Sequence, residues 1–323
     1  MKKTTLIVSQ KISVPLVLEL TRLPNWPNLE DPRSLVGSFG ICNMPCIPLR
    51  AAPSDGSELE GQLLFGEPFH VLEAEGGCLK VQRLFRDAAC VEWGSMQGWI
   101  DNHLVPATVV SEEEMKRLLH KAPRAIVASH TVRAIPTDGK GAPLTLPFGS
   151  LLPDYDSGGP SFMMLGTRYR IETPSARIIS EKAKPDLGLL TELLNEFYGV
   201  QYLWGGQNTW GVDCSGFTQN VMRVFGVELP RNCSAQVKLG EEISTDQAQS
   251  GDLVFFRTIN REKPSHVGFL IKGEDGDFAL FHAKQRVKCQ LMVNQHDDAK
   301  KYIYPEGLKT VEMMCIRRLV SFV

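Results

Sequence analysis

The texture of the chain changes near Pro185, and this change constrains the fold more than any other feature of the sequence. Before it, short apolar runs alternate with Gly and Pro. Residues 63–65, 69–72, 79–82 and 98–100 read as strands, punctuated by Gly66, Gly76, Gly77 and Gly94. Strands this short, so closely spaced, suit a small barrel. A second such stretch spans residues 125–132, 144–146, 150–152, 162–165 and 167–171, with Pro136, Gly139, Gly141, Gly158 and Gly159 between them. It predicts a second small barrel. Between the two, Ser111 can cap a helix that Glu112, Glu113 and Glu114 favour at its N-terminus. Met115, Leu118 and Leu119 give that helix one apolar face, and Pro123 ends it.

After Pro185 the period is helical. Leu189, Leu190, Leu193, Leu194 and Phe197 predict a helix over residues 187–198. A loop, 201–212, leads to a second helix over 214–225, closed by Gly226 at a C′ position. Strands follow at 252–256, 266–271, 279–283, 287–292 and 313–319. Helices first and an antiparallel sheet afterwards make an α+β domain. The expected order is a lead-in over 1–40, a barrel over 41–107, a linker helix over 108–123, a second barrel over 124–184 and the α+β domain over 185–323.

Composition removes several classes. With 43% hydrophobic and 22% charged residues, the chain is not of the disordered type. A formal charge of −2 leaves no net basic surface for nucleic acid. The most apolar early stretch, residues 5–20, is broken by Ser9, Gln10 and Lys11, so no membrane span is expected. Met1, Lys2 and Lys3 imitate the start of a signal peptide, but the core behind them is short, and Pro15 and Glu19 suit it badly. Cytoplasmic residence is the expectation, with export to the periplasm or cell surface as the alternative. The eight Cys are thinly spread and predict free thiols. Their spacing with His lacks a zinc pattern, so neither metal nor cofactor is expected.

The chemistry concentrates around Cys214. Asp213 stands directly before an apolar helical pattern and is placed to cap it, which puts Cys214 in the first turn. There the unpaired N–H groups and the helix dipole are expected to stabilise a thiolate and make a nucleophile. Gly216 lets another chain segment approach the helix start. A thiol nucleophile needs a base. His266 opens one strand and His282 lies in the next, so antiparallel neighbours can set both rings side by side. His266 would take the thiol proton, and His282 would hold its far nitrogen.

These residues fall into seven ordered pieces: Tyr202-x-Trp-Gly-Gly, Asp213-Cys-Ser-Gly-Phe, Leu229-Pro-Arg, Gln236, Gly251-Asp-Leu-Val-Phe-Phe, His266-Val-Gly and Phe281-His-Ala. In this order they resemble the NlpC/P60 cysteine peptidases, which cut peptidoglycan stem peptides. The resemblance implies a papain-like core with Cys214 as nucleophile, His266 as base and His282 as orienting residue. Leu49-Arg50, Ser57-Glu58-Leu59, Gln62-x-x-x-Gly66-Glu67 and Gly98-Trp99-Ile100 resemble a bacterial SH3 domain. Such domains precede the catalytic domain in the γ-D-glutamyl–diamino acid endopeptidases, where the first one closes one end of the cleft and selects short stems with a free N-terminal amine. The implied fold is α+β, a papain-like domain behind two SH3-like barrels.

The same resemblance makes Tyr202 a lining residue of the nucleophile pocket, and Asp213 and Ser215 residues that hold the stem peptide. Glu58 matches an acidic SH3 residue that approaches the substrate amine. Trp93 is a candidate for the cleft wall, and Trp99 fits barrel core better. After Leu229-Pro-Arg the free-amine subgroup has Asp then Ser, and this chain has Asn232 and Cys233. Asn232 offers an ammonium only a neutral acceptor. Either Glu58 supplies the charge, or the amine is blocked, as in a stem still joined to muramic acid. Rival readings are a secreted whole-wall hydrolase and a non-catalytic wall- or peptide-binding SH3 protein.

Overall fold

The computed structural model describes residues 31–85, 96–101, 108–122, 124–139, 141–180, 182–273, 276–294, 302–303 and 311–322. Most of the expected lead-in, together with Gly94, Trp93 and Pro123, lies outside them.

The first unit is one seven-stranded antiparallel sheet, curled on itself. Its strands are β1 (Phe39–Ile41), β2 (Cys46–Arg50), β3 (Leu59–Leu64), β4 (Pro68–Glu75), β5 (Cys78–Arg83), β6 (Gln97–Asp101) and β7 (Thr108–Val110), in the order β3-β2-β6-β5-β4-β1-β7. Alternate residues face inward, so Leu49, Leu63, Phe69, Val71, Leu79, Val81 and Ile100 fill the centre. Trp99 is buried with them. Two segments expected outside the barrel complete it. β1 comes from the expected lead-in and β7 from the expected linker, and they pair with each other, Gly40 opposite Val109. β1 also pairs with β4, where Gly40 stands opposite Phe69 and lacks the Cβ that would lie 2.4 Å from the Phe69 ring. Helix α1 (Glu112–His120) follows, with the Ser111 side chain accepting from the Glu114 N–H at 3.1 Å.

The second unit has strands β8 (Arg124–Val127), β9 (Thr131–Pro136), β10 (Leu144–Pro147), β11 (Leu151–Pro153), β12 (Ser161–Met164), β13 (Thr167–Ile171) and β14 (Ile178–Ile179). They form two sheets, β10-β9-β13-β12 and β11-β8-β14. The single strand expected over 125–132 is two strands, because the backbone turns at Ser129 and His130 to pass from one sheet to the other. Phe162 centres this core, and Phe65 of the first barrel meets it edge-on at 5.7 Å.

The third unit opens with helix α2 (Leu187–Phe197), capped by Asp186. A short hairpin, β15 (Gln207–Asn208) and β16 (Gly211–Val212), precedes helix α3 (Cys214–Val224). The four-residue α4 (Cys233–Gln236) follows. The remaining strands are β17 (Glu241–Ile243), β18 (Leu253–Thr258), β19 (His266–Lys272), β20 (Phe278–Lys284), β21 (Arg286–Leu291), β22 (Val293–Asn294), β23 (Tyr302–Ile303) and β24 (Val311–Arg318). Six of them form the sheet β17-β24-β18-β19-β20-β21. Every residue of α3 is buried. Phe217 on its inner face packs against Phe197, Phe269 and Phe281, with ring centroids 5.2, 5.6 and 6.0 Å away. That packing fixes α3 against the strands that carry the histidines. Among the described residues, no helix is long and apolar enough to cross a membrane.

Candidate active site

The site is built on the start of α3. Asp213 has extended backbone angles and caps the helix, its Oδ1 accepting from the Gly216 N–H at 2.8 Å. Its Oδ2 accepts from the Gly205 N–H at 2.9 Å, which draws the Trp-Gly-Gly loop onto the helix end. Two glycines allow that approach. A Cβ on Gly216 would lie 2.2 Å from the Gly206 carbonyl oxygen, and one on Gly205 would lie 2.3 Å from the Leu59 carbonyl oxygen of the first barrel. Gly205 also has φ +77°, a left-handed conformation that side chains resist.

The Asp213 carboxylate is fully engaged. Arg231 meets it with both terminal nitrogens, Nη1 to Oδ1 at 3.0 Å and Nη2 to Oδ2. The same guanidinium donates to Ser215 Oγ at 2.9 Å, and its Nε reaches the Glu60 carbonyl oxygen on β3 at 3.1 Å. Asp213 and Ser215, expected at the substrate, thus spend these bonds on a buried arginine that ties the helix start to the first barrel.

Cys214 occupies the first helical position, where its backbone N–H has no acceptor within the helix. Its side chain is buried and hydrogen-bonded to both Cys233 and His266. Around the thiol, opposing influences act on its proton. The hydrogen bond with Cys233, followed by burial, pushes Cys214 well above the ordinary cysteine value, while His266 pulls it down. Cys233 shares the same bond and is lowered by it.

His266 and His282 stand on adjacent strands, with rings edge to face and centroids 4.9 Å apart. Gly268 makes room for them, since a Cβ there would lie 2.8 Å from the His282 Cβ. His266 Nε2 and His282 Nδ1 are 2.7 Å apart, which leaves Nδ1 of His266 for the thiol. Burial lowers His266, against the hydrogen bond from Cys214 that raises it. Burial also lowers His282, to about 4, with Lys288 and Lys284 adding to the effect. His282 Nε2 in turn meets Gln290 Oε1 at 2.7 Å. A buried thiol, a neutral imidazole and a second imidazole in line are the parts of a nucleophile–base–orienter relay. Among the described residues, no group of three or more His, Cys, Asp or Glu could hold a metal ion.

Residues 199–303 match the NlpC/P60 family, and residues 49–84 match the bacterial dipeptidyl-peptidase SH3 domain. The chain carries an NlpC/P60 domain behind a bacterial SH3 domain. The chain is 40% identical over 120 residues to a probable endopeptidase NlpC homolog of Haemophilus influenzae, covering 36% of this chain and 57% of that protein. It is 37% identical over 78 residues to a γ-D-glutamyl-L-lysine dipeptidyl-peptidase of Bacillus subtilis, covering 24% of this chain and 26% of that one. Among the first NlpC-type relatives the chain spans between 57% and 66% of their length. A solved NlpC/P60 family protein from Bacillus cereus superposes with a TM-score of 0.70 at 18% identity, covering 88% of this chain and all of that one, a likeness of fold.

Beside Cys214, Tyr202 is half-buried, and burial followed by the nearness of Cys214 and Asp213 raises its hydroxyl above the ordinary tyrosine value. Cys233 sits at the start of α4, its thiol also directed at the Pro264 carbonyl oxygen, 3.4 Å away. Asn232 before it is exposed and makes no side-chain capping bond. Gln236 anchors α4, donating to the Ser215 and Pro230 carbonyl oxygens and accepting from Thr218. Glu58 is exposed at the mouth of β3, two residues before the Glu60 carbonyl that Arg231 holds. Sequence reasoning gave no role to Arg231 or Gln290. Arg231 was visible as part of a matched motif beside an Asp in need of a counter-charge. Gln290 carried no local signal.

Proposed function

We propose that this protein is a cysteine peptidase that hydrolyses the γ-D-glutamyl–diamino acid bond of peptidoglycan stem peptides. The observation that carries the reading is the line Cys214, His266, His282, with the thiol at a helix start and each member hydrogen-bonded to the next. His266 takes the Cys214 proton at Nδ1 as sulfur attacks the γ-carbonyl of D-Glu. The backbone N–H of Cys214 is placed to donate to the developing oxyanion. The tetrahedral carbon expels the amine of the diamino acid, which receives the proton from His266, and a thioester on Cys214 remains. Water, deprotonated by His266, then releases the γ-D-glutamyl product and returns the proton to sulfur.

The substrate class is supported by the relative named for γ-D-glutamyl-L-lysine and by the first barrel, whose Leu59, Glu60 and Gly61 lie against the loop beside the nucleophile. A barrel edge there favours short stems of the kind met in murein recycling. Glu58, the acidic residue that the resemblance assigns to a free substrate amine, is the charge proposed for it, because Asn232 carries none. That neutrality also keeps a second reading, cleavage of stems still joined to muramic acid. Pure reduced protein is incubated with L-Ala-γ-D-Glu-diaminopimelate, its L-Lys counterpart and the muramoyl-linked form of each, and products are weighed by mass spectrometry. Release of L-Ala-γ-D-Glu is expected, and Cys214→Ala abolishes it. Cleavage of none of the four sinks the reading, and preference for the muramoyl forms selects the second.

A further inference from the structure

The relay does not end at His282. Gln290 lies on β21, two residues beyond Lys288, which pairs with His282 across the β20–β21 ladder. Residues two apart on a strand share a face, and a diagonal neighbour at this distance is within reach of a long side chain. Its Oε1 meets His282 Nε2 at 2.7 Å. An amide oxygen can only accept, so Nε2 of His282 carries the hydrogen. A neutral imidazole has one N–H, so Nδ1 of His282 must accept. Its partner at 2.7 Å, Nε2 of His266, must therefore donate. Nδ1 of His266 is then bare and faces Cys214.

We propose that Gln290 is the positioning residue of this site: its carbonyl oxygen sets the tautomer of His282, and through it that of His266, so that a lone pair rather than a hydrogen meets the thiol. The proposal rests on the peptidase reading of Cys214 and His266. A neutral amide suits the task better than a carboxylate. A carboxylate would favour a charged His282, whose two nitrogens both donate. His266 would then have to accept at Nε2 and carry its hydrogen on Nδ1, and Cys214 would lose its base. The groups around His282 agree with a neutral row. Lys284 stands on its own strand, Lys288 and Gln290 on β21, His266 on β19 and Cys214 on α3 beyond it, and both lysines oppose a charge on His282.

The test uses the full-length protein with ¹⁵N-labelled histidine. At pH 7, nitrogen shifts should place the hydrogen on Nε2 of both His266 and His282. In Gln290→Leu, His282 should populate both tautomers and kcat should fall roughly tenfold, the weight of about one hydrogen bond, with KM little changed. In Gln290→Glu, the acidic limb of kcat/KM should move up by about one pH unit or more, and His282 should titrate with it. Unchanged tautomers in both variants, with circular dichroism showing both folded, overturn the proposal. Should the wild type cleave no stem peptide, the nitrogen shifts and the pH profile of Cys214 alkylation by iodoacetamide still decide the role of Gln290, while the peptidase reading alone falls.

Discussion

The first barrel meets the NlpC/P60 domain through buried amides and guanidinium groups. Gln62 and Gln207 exchange two backbone-to-side-chain bonds of 2.8 Å, Asn208 adds a third at 3.0 Å, and Arg231 reaches the Glu60 carbonyl. Farther along α3, Arg223 and Arg83 share the fully buried Glu67, at 2.7 and 2.8 Å. The second unit meets the same domain differently. Phe148 is buried edge-on against Phe197 of α2 at 4.8 Å, and His130 and Arg177 bind exposed carboxylates on the same helix. One unit is joined by directional bonds at the helix that carries Cys214. The other places its ring and its ion pairs on a helix that carries no site residue, and adds to them the His130 carbonyl, which accepts from Thr209 in the loop before α3, and the Gly149 carbonyl, which accepts from Arg223 at 3.4 Å. Directional bonds specify register and placement, whereas a buried ring supplies adhesion with little say over angle.

Two variants of similar cost in stability separate these roles. Arg231→Met leaves the Asp213 carboxylate buried without its cation and should destabilise by about 3–5 kcal/mol. Phe148→Ala should cost about 3–5 kcal/mol through the lost ring and its cavity. Measured by urea denaturation, the two losses should be comparable. Stem-peptide turnover per folded molecule should collapse only in Arg231→Met, because only there is the capped end of α3 released. Equal turnover in both variants would erase the distinction between the two units.

The pH dependence of stability sharpens the contrast from the catalytic side. His282 titrates near 4 in the folded chain against an ordinary value of 6.5. As pH falls below 6.5 the unfolded chain binds the proton first, so stability is whole above that value and drains away toward pH 4. His282 alone should account for roughly 3 kcal/mol of this loss. His266, also lowered by burial, adds in the same direction. Urea midpoints taken from pH 7 down to pH 4 should fall steeply in the wild type and flatten in His282→Gln. Parallel profiles would locate the acid-labile groups elsewhere.

What could be read from the sequence follows the range of each signal. The cap at Asp213, the helix from Cys214 and the closing Gly226 are local, written within a few residues, and the structure has all three. Strands of the first barrel with strong alternation, such as β5, were equally plain. The segments missed depend on distant partners. β1 and β7 are three residues each and are strands only because they pair with each other and β1 pairs with β4. Gln290 could not be read because its neighbour depends on the β20–β21 register, which a tight turn with Gln285 at φ +61° determines. The upward push on the Cys214 thiol was hidden for a related reason. The helix start was visible, but the burial of Cys214 and the thiol of Cys233 facing it come from parts of the chain that fold over it.

A gentler lesion probes the polar joint alone. Gln62→Ala leaves the Gln207 N–H and the Asn208 amide without their shared acceptor, a loss of about 1–3 kcal/mol. If the joint positions the loop before Cys214, kcat should fall along with stability. If only stability changes, the barrel serves as adhesive after all, and the two units differ less than their contacts suggest.

The smallest effect asks whether the protonation of the nucleophile is governed by the barrel joint or within the catalytic domain. Cys233 is the first cause of the raised Cys214 pKa, through the hydrogen bond between the two side chains. In Cys233→Ser the hydroxyl can instead donate to a sulfur anion, which favours the ionised nucleophile. The volume change is slight, and global stability should shift by less than about 1 kcal/mol. The rate of Cys214 alkylation by iodoacetamide, followed against pH with the other thiols accounted for by mass spectrometry, should have its midpoint at lower pH than in the wild type. In Gln62→Ala the midpoint should stay where it is, because that joint bonds Gln207 and Asn208 in the loop rather than the sulfur. A midpoint that moves in Gln62→Ala and not in Cys233→Ser would transfer control of the thiol from its neighbour to the barrel.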